Sequence, residues 1–268
     1  MLYGAIIGDI VGSKYEFNNI RTKKFNFFDN DMFFTDDTVM TIAIYNALKK
    51  CKGNYSSLHE LVIDEMRLYG YLYPNRGYGG NFALWLITPY PTPYNSFGNG
   101  SAMRVSPVPY FAKNLDEVKK LSKIVTEVTH NHPEGIKGAE ATAVAIYMAL
   151  NKKSKEEIKE YIEKNYYNLD FTLDEIRPTY QFNETCQDTV PQAIVAFLES
   201  ENFIDCIRNG ISVGGDSDTL CAIAGSIAEA YYGIDEKTKK MALNYLDKNL
   251  KNIVTSANNE LENKNKLI

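Results

Sequence analysis

Apolar residues recur at helical spacing along almost the whole chain, and no stretch alternates them as a half-buried strand would. Residues 36–50 carry this pattern and end in Lys49 and Lys50, which suits a helix C-terminus. The same spacing predicts a helix over 57–70, with Leu58, Leu61, Val62, Met66 and Leu68. Over 114–129, Leu115, Val118, Leu121, Ile124, Val125 and Val128 fall on one stripe. Residues 133–151 open with Pro133, which suits a first helical turn, and 154–166 open with Ser154 and Glu157 at capping-box spacing. Further helices are predicted over 187–200, 202–212, 217–232 and 235–249. The expected fold class is all-α, a single compact multi-helix domain over 1–268. No Pro/Gly/Ser-rich linker divides it, and a polar C-terminal tail, 249–268, is expected to fray at its NNELENKNKLI end.

A chain of 268 residues buries enough surface to hold a rigid cavity with placed polar groups. Its net charge of −5 argues against non-specific nucleic-acid binding, which needs a basic surface, but leaves room for a nucleotide in a local patch. Cys51, Cys186, Cys206 and Cys221 form no CxxC pair and stand at no zinc spacing, so they read as free thiols in a reducing compartment. The apolar N-terminus is interrupted by Asp9 and lacks a basic leader, and no run approaches the roughly 18 apolar residues that span a membrane. A cytoplasmic monomer is expected.

Two acidic motifs carry the chemistry. Phe34-Thr35-Asp36-Asp37-Thr38 immediately precedes one predicted helix, and Gly214-Gly215-Asp216-Ser217-Asp218-Thr219 precedes another. Helix starts expose N–H groups that orient carboxylates, so either motif alone reads equally well as a cap. Four Asp side chains buried together would repel, and a hard divalent cation with oxygen ligands is the natural compensation. The two motifs come from opposite ends of the chain, which favours one domain. Gly214 and Gly215 permit the tight turn that aims the second motif.

Other segments add candidates. Gly8 and Gly12 are four apart and permit close helix packing, while Asp9 between them reads as a structural hydrogen-bonding residue. Glu16 follows a break in the apolar run and is a functional candidate. The glycine-rich loop 75–81 lets backbone N–H groups approach a phosphate. The loop 95–104 combines Phe97 with small residues and amides, which suits base stacking and nucleotide hydrogen bonding. His130 and His132 lie near no Cys and in no HExxH pattern, so His130 reads as a ligand hydrogen-bond donor or a helix cap rather than a zinc ligand. Ser101 and Ser217 stand in no GxSxG elbow.

Together these blocks resemble the ADP-ribosylglycohydrolase family, which includes dinitrogenase reductase-activating glycohydrolase and the ADP-ribosyl-acceptor hydrolases. The resemblance runs in order through GAIIGDIVGSKYE, FTDDTVM, NRGYGGN, SFGNGSAMRVSPV, THNHPEGIKGAEA, CQDTVPQAIVAFLES and IRNGISVGGDSDTLCAIAGSIAEAYYG, from residue 4 to about 233. It implies a binuclear Mg²⁺ or Mn²⁺ centre with Thr35, Asp36, Asp37, Asp216, Asp218 and Thr219 as ligands. It implies a catalytic or gating role for Glu16, with Glu16 or Asp37 assisting proton transfer at the anomeric carbon or its leaving group. Gly77, Gly79 and Gly80 match the segment near the diphosphate, Ser96, Phe97, Gly98, Asn99 and Gly100 the loop that holds ADP-ribose, and His130 a residue lining the same cleft. Phe97 stands where some relatives carry Tyr. Some relatives lack metal ligands and serve as lens crystallins, but here the full set is present.

The implied reaction is metal-dependent hydrolysis of the glycosidic bond between ADP-ribose and an acceptor. The acceptor stays open among arginine, serine, a nucleic-acid adduct and a small ADP-ribose derivative. The alternatives are a non-catalytic ADP-ribose-binding module and a metal-dependent diphosphate hydrolase.

Overall fold

The helices are arranged around one that is almost wholly buried. In the computed structural model, which describes residues 2–265 (for the last four the backbone alone), this is Ser217–Tyr232, buried from Ser217 to Ala230. In chain order the α-helices are α1 (Tyr3–Ser13), α2 (Asp36–Lys50), α3 (Leu58–Leu72), α4 (Gly80–Ile87), α5 (Gly100–Met103), α6 (Leu115–Glu127) and α7 (Pro133–Leu150). There follow α8 (Lys155–Asn165), α9 (Leu173–Ile176), α10 (Cys186–Leu198), α11 (Phe203–Val213), α12 (Ser217–Tyr232), α13 (Glu236–Ala242) and α14 (Lys248–Asn265). The described residues form no strand, only an isolated bridge between Gly98 and Thr185. None of the described helices is long and apolar enough to cross a membrane.

The all-α expectation holds, and the apolar stripes of the helices merge into one continuous core. α12 packs against α1, α7, α10 and α11. Its contact with α1 is closest because Gly4, Gly8 and Gly12 line one face of α1. A Cβ at Gly8 would stand 2.0 Å from the Cys221 carbonyl oxygen, and one at Gly12 2.3 Å from Asp218 Cα. Only glycine permits such an approach, and it sets Asp9 beside the first turn of α12. The local signals also act as read. Ser154 and Glu157 form the reciprocal capping box of α8, and Pro133 sits in the first turn of α7. The four cysteines are buried free thiols.

The C-terminal expectations need correction. The helix predicted over 235–249 ends at Ala242, and a new helix starts at Lys248 because the Asp247 carboxylate accepts from the N–H groups of Asn249 and Leu250 at 2.8 and 2.9 Å. The polar segment expected to fray is helical through Asn265. Leu250, Val254, Ala257 and Leu261 bury one stripe, and Lys49 on α2 pairs with Glu260 at 2.8 Å. Segment 80–87, given no element by periodicity, is α4.

Candidate active site

The starts of α2 and α12 face each other. Thr35 caps α2, accepting from the Asp37 N–H at 3.3 Å, and Asp216 stands at the N-cap position of α12. Exposed N–H groups and the helix dipole favour negative charge at both ends. Gly214 and Gly215, at φ +76° and +78°, make the turn that delivers Asp216 and Asp218. Asn19 fixes this turn, donating to the Gly215 carbonyl at 2.9 Å and accepting from its N–H at 2.8 Å. The same Asn19 amide donates to the Glu16 carbonyl at 3.0 Å and so holds the Glu16 segment against the second motif.

Carboxylate oxygens of Asp9, Asp37 and Asp218 lie within 4.8 Å of one another, as do oxygens of Glu16, Asp216 and Asp218. Asp218 belongs to both groups. Burial, and then mutual repulsion, pushes Asp36, Asp37 and Asp218 well above the usual carboxylate range. Burial likewise raises Glu16 to about 8, helped by Asp218, while Asp9 and Asp216 rise to about 6 against hydrogen bonds that hold them down. Ionised together, these carboxylates would repel one another at this point.

The carboxylates are held by specific donors. Asp9 accepts from the Thr35 N–H at 2.9 Å, the Thr35 hydroxyl at 2.7 Å, the Thr38 N–H at 3.1 Å and the Thr38 hydroxyl, which fits its reading as a structural residue. Thr219 donates its hydroxyl to Asp37 Oδ2 at 3.2 Å, and Asn99 donates its amide to Asp216 Oδ2 at 2.7 Å. Asp37 Oδ1 is buried with no hydrogen-bond partner among the described residues. Buried polar atoms usually find a partner, so this oxygen and the acids around it are chemically suited to a hard cation.

The acids open into a cavity of about 260 Å³. Of the residues singled out from sequence, Glu16, Asp36, Asp37, Gly77, Gly79, Gly80, Ser96, Gly98, Asn99, Gly100, His130, Asp216, Asp218 and Thr219 line it. Gly77 is held on the first motif: the Asp36 N–H donates to the Arg76 carbonyl at 2.8 Å, and the Arg76 guanidinium lies 3.7 Å from the Phe34 ring centroid. Gly79 and Gly80 face open space at the start of α4.

Two of the predicted residues do not line this cavity. Thr35 turns its hydroxyl to Asp9 and to the cap of α2. Phe97, 44% exposed, lies on an adjoining groove with Phe182, its ring centroid 5.2 Å from that of His132. The two histidines divide the roles foreseen for one: His132 caps α7, accepting from the Glu134 N–H at 3.1 Å, and His130 lines the cavity.

The profile of the ADP-ribosylglycohydrolase family matches residues 1–261. The chain belongs to that family. Like the glycohydrolases it resembles, it is an enzyme that hydrolyses ADP-ribosyl bonds. It is 26% identical to the human ADP-ribosylhydrolase ARH3 over 88% of this chain and 85% of the relative. It is 24% identical to the ADP-ribosylarginine hydrolase Tri1 of Pseudomonas putida over 87% of this chain and 70% of the relative. A solved structure described as an ADP-ribosylglycohydrolase-related protein complex shares the fold, with a TM-score of 0.71, 20% identity, and coverage of 96% of this chain and 94% of that one.

In this family member the cavity also takes Phe82, Tyr94 and Glu184, which lie outside the segments singled out from sequence, and Asn81, Met103 and Arg104, which fell within the loops 75–81 and 95–104 without a role of their own. Arg104 carried a signal, as a lone cation ending the small-residue run 98–104. Glu184 carried none. It arrives because the Asn99 N–H donates to the Glu184 carbonyl at 2.7 Å, a pairing between two loops with no local pattern.

Proposed function

We propose that this glycohydrolase is metal-dependent and uses two divalent cations, Mg²⁺ or Mn²⁺, to cleave the bond between ADP-ribose and its acceptor. The observation that carries the reading is the pair of acid groups sharing Asp218, with Asp37 Oδ1 buried and open beside them. Asp36, Asp37, Asp216, Asp218 and Thr219 would hold the cations, with Asp9 bracing the first motif. Thr35 contributes through its cap and its bond to Asp9. Bound cations supply charge compensation and Lewis-acid polarisation of sugar oxygens.

The chain's own residues supply the rest. The glycines at 77, 79 and 80 leave backbone N–H groups accessible to a diphosphate. Asn99 fixes the orientation of Asp216, so one carboxylate edge always faces the cavity. Glu16 stands half-buried at the cavity wall within reach of Asp216 and Asp218, and Glu16 or Asp37 takes the proton that must leave the attacking water. Phe97, on the adjoining groove, offers an exposed ring for stacking of the nucleotide. The acceptor group leaves with a proton, and its identity among arginine, serine and other ADP-ribosylated groups is read from a substrate panel.

Calorimetry with Mn²⁺ and Mg²⁺ on wild type and Asp218→Asn tests the centre. The wild type should bind two cations per chain, and the variant should lose at least tenfold in affinity for both, because Asp218 belongs to both groups. Product analysis on ADP-ribosylated arginine and serine substrates tests the reaction. Intact ADP-ribose is expected, whereas AMP would make the protein a diphosphate hydrolase, and binding without turnover a non-catalytic module.

A further inference from the structure

Arg104 is the one Lys or Arg among the described residues that line the cavity, and it is almost wholly buried. It is 1% exposed, and its Nη2 donates to the Thr129 hydroxyl at 2.8 Å. That hydroxyl lies 2.7 Å from His130 Nδ1, and Thr129 and His130 are both buried.

The direction of the second bond follows from the first. Arginine only donates, so Thr129 Oγ1 accepts from it. The hydroxyl has one hydrogen to place, and His130 Nδ1 is the partner within reach. Were Nδ1 protonated, that hydrogen would be buried without an acceptor, which costs about 1–3 kcal/mol. Nδ1 is therefore the acceptor, and the imidazole proton sits on Nε2. His130 Nε2 points at the nucleotide loop: a Cβ at Gly98 or at Gly100 would stand 3.6 Å from it, and it has no hydrogen-bond partner among the described residues.

We infer that Arg104 and Thr129 form a positioning relay that locks His130 in its neutral Nε2–H form, a fixed donor to an acceptor oxygen of the bound nucleotide and not a base in the reaction. Burial and the Arg104 charge both hold His130 well below the ordinary imidazole range, which favours the uncharged ring. The relay explains why a cation is buried at a cavity wall: its work is to fix the direction of a bond two residues away. The part concerning the nucleotide rests on the reading of this cavity as the ADP-ribose site, whereas the tautomer does not.

Two-bond ¹H–¹⁵N correlation spectra read the tautomer directly, and a chain with three histidines keeps assignment simple, with His130→Gln identifying the signal. The wild type should show Nε2 protonated and Nδ1 bare. Thr129→Val should release the ring into the other tautomer or a mixture and weaken ADP-ribose binding by roughly tenfold, about one well-placed hydrogen bond. Thr129→Ser should restore both. An Nδ1–H tautomer in the wild type overturns the relay whatever the variants do, as does a Thr129→Val protein with unchanged tautomer and affinity. A wild type that shows the Nε2–H form but binds no ADP-ribose overturns the nucleotide contact and leaves the relay standing.

Discussion

Alanine at Gly8 tests whether the glycine face of α1 is what assembles the site. The new Cβ would stand 2.0 Å from the Cys221 carbonyl oxygen, 2.3 Å from its carbon and 2.6 Å from the Ala222 nitrogen. All three are backbone atoms of α12, so no side chain can swing aside. Ordinary contact begins at 3.4 Å, so the helices must part by about 1.4 Å. Overpacking of this kind costs about 1–3 kcal/mol and more where the backbone itself must move. At 2–4 °C per kcal/mol for a chain of this size, a cost of about 3 kcal/mol lowers Tm by roughly 6–12 °C. The site suffers too, because Asp9 follows Gly8 and Asp218 lies one turn before Cys221. Misplacement by about 1 Å can cost on the order of a hundredfold in rate. Thermal melts followed by circular dichroism, with turnover on a confirmed substrate at a temperature where the variant is folded, measure both effects. A Tm within about 2 °C of wild type together with unimpaired turnover would refute the argument that this contact positions the acids.

Three further outcomes are expected. Without cations, stability should fall as pH rises: Glu16, Asp9 and Asp216 have folded-state values raised to about 8, 6 and 6 from 4.5, 3.8 and 3.8, so their contribution is full below the lower values and is lost as pH passes the higher ones. Urea melts in EDTA between pH 5 and 8.5 should show the fall and saturating Mg²⁺ should abolish it; stability that is flat or rising in EDTA counts against repulsion among these carboxylates. Glu16→Gln should lower turnover by roughly 10²–10⁴-fold with circular dichroism unchanged, and near-normal turnover would move the proton-transfer role to Asp37. Phe97→Ala should weaken ADP-ribose binding at least several-fold, by analogy with base stacking worth about 1–3 kcal/mol; equal affinity by calorimetry would leave Phe97 a surface residue.

The parts of this fold that were legible in the sequence are those written locally. The helix starts at Asp36 and Ser217 were readable because each acidic motif directly precedes an apolar helical pattern. The close packing of α1 could be read from Gly8 and Gly12, though not its partner, because a glycine face says that something approaches and not what. The C-terminal helix was hidden by its composition, since its few apolar residues are spread thinly among Asn, Lys and Glu. In the site, Glu184 was invisible because backbone pairing between distant loops has no sequence period. Arg104 was readable as unusual but not as a relay, because its effect passes through the Thr129 hydroxyl.

The union of α1 with α12 also governs when the enzyme comes into being. Asp9 and Asp218 are 209 positions apart in the chain. At 5–20 residues per second, synthesis takes on the order of 10–40 s to deliver the second after the first. Through that interval α1, every residue of which is buried in the finished protein, has no α12 to cover it. The growing chain thus carries an apolar helix without its packing partner for most of synthesis, and transiently exposed apolar surface of this kind favours aggregation. A product that stops short of Asp218 lacks the carboxylate common to both acid groups.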